Sequence, residues 1–130
     1  MDTPEGENGQ RGFGFPRAAR ITSTAEIRAL FRRGKRKKTR HLDVFVSPSP
    51  VAHARLGIVV PKHKRDIVER NLVKRRLREA GRRFVLPAFA DAGVALDVML
   101  RARPEAYGAT FQALREELDA LVGELCSRGC

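Results

Sequence analysis

The chain has 130 residues, which is a usual length for one domain. Its formal net charge of +11 indicates that it binds a polyanion. No apolar run approaches the roughly 18 residues of a membrane-spanning helix, and the acidic, glycine-rich start is unlike a signal peptide. Cys126 and Cys130 have no further Cys or His in a zinc-binding pattern, so we expect a cytoplasmic protein with reduced thiols.

The first predicted elements are a tail, a helix and a basic loop. Residues 1–14 are polar and rich in glycine, and we expect a disordered tail. Residues 22–34 are predicted to be helical, because Ser23 and Glu26 match a capping box and a glycine ends the segment. Residues 35–40, KRKKTR, are predicted to form a basic loop.

Two strands are predicted next. Residues 42–46 and 56–60 alternate between apolar residues that would face inward and residues on the other side. The loop between them begins with SPSP, a typical turn sequence. In the first strand, Asp43 and Phe45 lie on the face opposite Leu42, Val44 and Val46.

The following segment carries the densest charge. Residues 62–83 contain ten Lys and Arg residues and only three acidic ones. Read as a helix that begins near Asp66, the segment has one apolar stripe and one cationic stripe on opposite sides. The apolar stripe is Val73, Leu77, Ala80 and Phe84, and the other is Asn71, Arg75, Arg78 and Arg82. A row of guanidinium groups suits a row of phosphates, whereas a merely solvated helix face normally mixes both signs of charge.

The C-terminal elements are expected to support the fold and not to bind a polyanion. Residues 96–100 are a predicted strand, and the pattern allows one more short strand near residues 90–95. Residues 110–125 have apolar side chains at helical spacing together with several acidic residues. The predicted order is therefore α-β-β-α-β-α in one domain.

Once these elements are placed, residues 56–79, LGIVVPKHKRDIVERNLVKRRLRE, are similar to the protein subunit of bacterial ribonuclease P. That family has a strand, a lysine-bearing loop and a helix with Arg-Asn-x-apolar-Lys-Arg-x-apolar-Arg, which matches residues 70–78 here. Residues 25–34, AEIRALFRRG, resemble the family's first helix, and the resemblance covers residues 15–125. One departure is Leu72, which stands where the family usually has arginine. The extra bases Arg65 and Arg76 could compensate for it.

The resemblance implies a fold and a function. The fold is a single α+β domain over residues 15–125, with a mixed β-sheet packed with helices and a left-handed βαβ crossover that carries the basic helix; residues 126–130 would be a tail. The function is that of the RNA-binding subunit of ribonuclease P, the endoribonuclease that removes the 5′ leader from precursor tRNA. A catalytic RNA with magnesium would perform the hydrolysis, so no catalytic residue, metal ligand or protein partner is predicted in this chain.

Two other functions are compatible with the composition. A structural RNA-binding protein similar to ribosomal proteins would have the same size and charge. A protein nuclease is disfavoured, because residues 11–83 contain few carboxylates and two-metal nucleases need a cluster of them. A catalytic pair among His41, His53 and His63 is also disfavoured, since their spacing follows no known pattern.

Two binding surfaces are predicted. The first is the helix face that would contact the catalytic RNA, formed by Arg70, Asn71, Lys74, Arg75, Arg78 and Arg82. The second is a cleft for the single-stranded leader, formed by Phe31, Phe45, Lys62 and Arg40. Phe45 is expected on the open face of the sheet, where bases can stack on aromatic rings while cations hold phosphates. Phe31 could instead belong to the core, and Asp43 is expected either to bind a metal or to pair with Arg40.

Overall fold

A computed structural model describes residues 17–128, so the whole predicted tail over residues 1–14 and the last two residues of the chain lie outside the described residues. Besides three short helical segments of other types, four strands and four α-helices follow one another over the described residues. They are α1 (Thr24–Arg33), β1 (Lys35–Lys38), β2 (Leu42–Pro48), β3 (Arg55–Val59), α2 (Ile67–Ala80), α3 (Leu86–Ala92), β4 (Leu96–Ala102) and α4 (Phe111–Arg128). Among residues 17–128, none of the helices is long and apolar enough to cross a membrane.

The strands form one mixed sheet in the order β1-β2-β4-β3. β3 and β4 are parallel, and the other two pairs are antiparallel. The connection between the parallel strands contains α2, so the basic helix lies in a βαβ crossover, as expected. The α+β fold and its mixed sheet are confirmed.

Three local predictions are wrong. Residues 35–38 are a strand rather than a loop, because β2 supplies hydrogen-bond partners to a stretch of bases that has no alternating pattern. No strand forms near residues 90–95, because α3 continues to Ala92 and Gly93 ends it with a left-handed φ of 68°. The predicted C-terminal tail is shorter than expected, since α4 extends to Arg128.

The two faces of the sheet are both covered. The main core lies between one face and the helices α2, α3 and α4, and it contains Val44, Leu100, Leu77 and Leu118. On the other face α1 covers a smaller cluster, formed by Ile21, Leu30, Phe45 and Met99. The expectation that Phe45 lies on an open face is therefore wrong: its side chain is on the predicted face but only 7% exposed, because α1 covers it.

A partly buried ionic network joins α1 to the sheet. Arg55 of β3 donates hydrogen bonds to Asp97 of β4 at 2.7 Å and to Glu26 of α1 at 2.9 Å. The hydrogen bonds to Asp97 and then to Glu26 raise the pKa of the Arg55 guanidinium above its usual value. Because the network joins three elements, it helps to hold the first turn of α1 against β3 and β4.

Candidate nucleic-acid interface

The N-terminal end and the buried side of α2 determine which of its side chains point outward. The carboxylate of Asp66 accepts a hydrogen bond from the Glu69 amide, and the Glu69 side chain accepts one from the Asp66 amide, which completes a capping box. Val73 and Leu77 are buried against the core. The opposite face of α2 must therefore face outward, and it carries Asn71 with the predicted arginines.

Three cations of this face form no ion pair with any residue that the structure describes. Within the described part of the chain, Lys74, Arg75 and Arg78 have no carboxylate within 4.0 Å. Lys74 and Arg78 also line a notch of about 230 Å³ between α2 and β3, and Arg20 lines its other side. An array of cations without bound carboxylates beside a polar notch can accept phosphate groups.

Two other predicted members of the face are engaged by the protein itself. Arg70 is half-buried, and its Nη2 lies 3.4 Å from the carbonyl of Val60. Arg82 donates hydrogen bonds of 2.9 Å and 2.6 Å to the carboxylate of Glu79. The charges of both side chains are therefore less available to a ligand than those of Arg75 and Arg78.

The two bases suggested as compensation for Leu72 both have partners among the described residues. Arg76 donates a 2.7 Å hydrogen bond to the carbonyl of Ala109, so it joins α2 to the segment before α4 and does not reach the outer face. Arg65 pairs with Glu69 at 3.1 Å, and its guanidinium lies 5.2 Å from the ring centre of Tyr107. Both bases are therefore engaged within the protein, and the proposed RNA face does not depend on them.

The loop between β3 and α2 has a strained backbone. His63 and Lys64 have positive φ angles of 47° and 62°, which are unfavourable for residues with a Cβ. The hydroxyl of Tyr107 donates a 2.6 Å hydrogen bond to the carbonyl of Pro61, and burial raises the pKa of this hydroxyl. These contacts hold Lys62 and Lys64 in exposed positions at the end of β3.

A second candidate surface lies where α1 meets the sheet. The rings of Phe31 and Phe45 meet edge to face at 4.8 Å, so Phe45 supports Phe31, which is half-buried. The guanidinium of Arg101 lies 5.9 Å from the ring centre of Phe31. Strand register also places Lys38 and Arg101 on the same face, on either side of Asp43. An aromatic ring flanked by cations is suited to an unpaired nucleotide.

Lys38 and Arg101 were not predicted to belong to the leader-binding cleft. Arg101 directly follows the predicted strand over residues 96–100, and continuing its alternation from Met99 would have placed Arg101 on the α1 side. Lys38 was assigned to a loop, for which no face can be predicted. Asp43 pairs with Arg36 at 3.1 Å and not with Arg40.

The other predicted cleft residues lie further away in the fold. Lys62 follows the end of β3, and Arg40 is exposed in the turn between β1 and β2, where its carbonyl accepts a hydrogen bond from Arg103. The structure shows no ring contact from either cation in the described region. Over residues 17–128 there is also no group of three or more His, Cys, Asp and Glu side chains that could hold a metal ion.

Comparison with known proteins identifies relatives for most of the chain. The family described as Ribonuclease P matches residues 15–126. A ribonuclease P protein component from Pseudarthrobacter chlorophenolicus is 32% identical over 84% of this chain and 78% of its own length. That from Acidothermus cellulolyticus is 33% identical over 85% of this chain and 91% of its own length.

Solved structures show the same fold. The ribonuclease P protein from Staphylococcus aureus superposes with a TM-score of 0.69 at 25% identity, over 82% of this chain and 94% of that one. The protein from Thermotoga maritima gives a TM-score of 0.68 at 24% identity, over 81% of this chain and 96% of that one.

Proposed function

Since this chain belongs to the ribonuclease P protein family, we propose that it binds the ribonuclease P RNA through α2 and the precursor tRNA leader through the surface beside α1. As a protein component of ribonuclease P, it is a subunit of the endoribonuclease that processes tRNA. We further propose that it acts in the cytoplasm. The family match makes a structural ribosomal-protein-like role the less favoured alternative.

The observation that carries this proposal is the outward face of α2. Asn71, Lys74, Arg75 and Arg78 point away from the core, and the three cations have no carboxylate partner among the described residues. When such side chains neutralise RNA phosphates, counterions are released and binding depends steeply on salt. The notch beside Lys74 and Arg78 offers a place for one phosphate.

The leader is proposed to bind at the Phe31 ring. Phe31 is accessible on one side and rests on Phe45 on the other, while Arg101 and Lys38 supply positive charge on the same face. This pattern recognises the base and the phosphate of a single strand without reading its sequence. Lys62 and Arg40 would flank the strand further along the surface.

The chemistry is proposed to lie in the RNA subunit, with its magnesium ions. This chain offers no set of metal ligands over residues 17–128, and Asp43 is already paired with Arg36. Its contribution is positive charge that lowers the repulsion between two RNAs. That contribution should matter most at low magnesium concentration, because magnesium ions and the basic side chains of the protein neutralise the same RNA phosphates.

Reconstitution tests the function. At low magnesium, the purified chain should restore leader cleavage to a bacterial ribonuclease P RNA that is inactive alone under those conditions. The chain without RNA should leave precursor tRNA intact at any magnesium concentration. Cleavage by the pure protein that disappears on substituting one of its own carboxylates or histidines would show that the chemistry lies in this chain.

Leu72 provides a gain-of-function prediction. The side chain is 37% exposed at the edge of the proposed RNA face, so an arginine fits there without entering the core. Leu72→Arg should add about one phosphate contact, making the salt dependence of RNA binding steeper by about one unit of slope and tightening binding by up to about tenfold. Leu72→Gln is the uncharged control. An unchanged slope in Leu72→Arg would place position 72 outside the RNA contact.

A further inference from the structure

A pocket that belongs to neither proposed surface lies at the β1 edge of the sheet. It has a volume of about 480 Å³ and lies between the sheet and the last turns of α4. Its wall is apolar, and cationic side chains surround its mouth. The wall includes Val46, Pro48, Leu96 and Leu125, and the mouth includes Arg33 and Lys35.

Strand register separates this pocket from the Phe31 surface. Lys35 pairs with Val46, and Pro48 pairs with Leu96, so these four side chains share one face of the sheet. That face carries the main core, whereas the Phe31 and Phe45 rings lie on the opposite face, and only the last residue of α1, Arg33, reaches the pocket at the edge of the sheet. The notch beside α2 is at β3, three strand spacings or roughly 14 Å across the sheet. The pocket is therefore a separate site.

The charges at its mouth attract an anion. Arg33 and Lys35 are exposed, and across residues 17–128 neither has a carboxylate within 4.0 Å. Lys37 is bound to Glu124, which limits the repulsion that this carboxylate would exert on an anionic ligand. Ser47 and the Glu124 carboxylate also line the pocket and can accept hydrogen bonds from an amino or imino group.

We propose that this pocket binds one nucleotide, with the base against Val46, Pro48 and Leu96 and the phosphate on Arg33 and Lys35. The volume is in the range of small-molecule sites, and an apolar wall with a few polar groups is their usual lining. A peptide strand added to β1 is disfavoured, because the edge is the sequence KRKK and charged edges oppose strand addition. The nucleotide is either an unpaired residue of an RNA or a free nucleotide.

Binding of free nucleotides tests the pocket directly. The methyl resonances of Val46, Leu96 and Leu125 are followed by NMR while AMP, GMP, CMP or UMP is added to the full chain. We expect at least one nucleotide to shift these methyls. Adenosine and inorganic phosphate, each lacking half of the proposed ligand, should bind at least tenfold more weakly than AMP does.

Two double variants distinguish binding in the pocket from a general attraction of nucleotides to the positive surface. Arg33→Ala with Lys35→Ala should weaken nucleotide binding at least tenfold. Arg28→Ala with Arg32→Ala removes the same charge from exposed positions of α1 that do not line the pocket, and binding should stay within twofold. No methyl shift with any nucleotide, or equal losses in both double variants, would overturn the proposal.

A crosslink in the holoenzyme identifies the source of the nucleotide. A benzophenone amino acid replaces Pro48, which is exposed at the pocket wall. Crosslinks to the RNA subunit or to precursor tRNA would assign the pocket to an RNA nucleotide, and nucleotide binding without RNA crosslinks would assign it to a free nucleotide. The methyl shifts are measured on the free protein and do not depend on RNA binding by α2, so failure of this proposal and failure of the proposed function are distinguishable.

Discussion

Replacing Arg75 and Arg78 together with alanine should weaken binding to the ribonuclease P RNA by about 10- to 100-fold near physiological salt. Each guanidinium that contacts a phosphate releases about one counterion, so the slope of log affinity against log salt should become shallower by about 1.5 to 2 units. The fold should survive, because both side chains lie opposite the buried Val73 and Leu77. Titrations at several salt concentrations measure the slope, and thermal unfolding checks the fold.

Arg82 is the matched control in the same cationic stripe. Its guanidinium already binds the carboxylate of Glu79, so it is less available to an RNA phosphate, and Arg82→Ala should change the slope by less than about half a unit although it removes the same charge. If Arg82→Ala made the slope as much shallower as the loss of Arg75 or Arg78 does, the contacts of the free protein would not determine which arginines contact RNA. Unchanged slopes in the double variant would remove α2 from the interface.

Arg75 and Arg78 are free of carboxylate partners among the described residues, whereas Arg82 is paired, and this difference shows how much of the α2 face the sequence could predict. The 3.6-residue period predicts the outward face of α2 as far as Arg78, because the buried stripe with Val73 and Leu77 fixes the rotation of the helix. Arg82 lies beyond α2 in a π-helical turn, Gly81–Val85, which the period does not predict. The period contains no information on tertiary partners. Arg76 donates to Ala109, 33 residues away, and this contact depends on how the segment before α4 packs.

The sheet is a second case in which the sequence pattern predicts orientation but not tertiary contacts. Alternation correctly places Val44 and Phe45 on opposite faces of β2. It does not tell whether the second face is open, because that depends on the docking of α1, which the Arg55 network with Glu26 and Asp97 stabilises from distant parts of the chain. β1 has a similar origin, since its strand conformation comes from pairing with β2 and not from its own four bases.

Phe45 and Phe31 should therefore respond differently to truncation. Phe45→Ala should lower the free energy of unfolding by about 3–5 kcal/mol, because it leaves a cavity in the cluster with Leu30 and Met99. Phe31→Ala removes a half-buried ring, and its cost should be roughly half as large or less. Urea unfolding of the free protein gives both values. A small effect of Phe45→Ala would mean that α1 does not cover this face in solution.

Leader binding should show the opposite order. In the reconstituted holoenzyme, Phe31→Ala should weaken binding of precursor tRNA by roughly 1–3 kcal/mol, the usual contribution of one base stacked on an aromatic ring. Mature tRNA, which has no leader, should bind almost as before. Phe45→Leu is the control, because it fills most of the buried volume, and it should leave the preference for precursor nearly unchanged. Equal losses for precursor and mature tRNA in Phe31→Ala would show that the ring supports the fold or the RNA subunit and does not contact the leader.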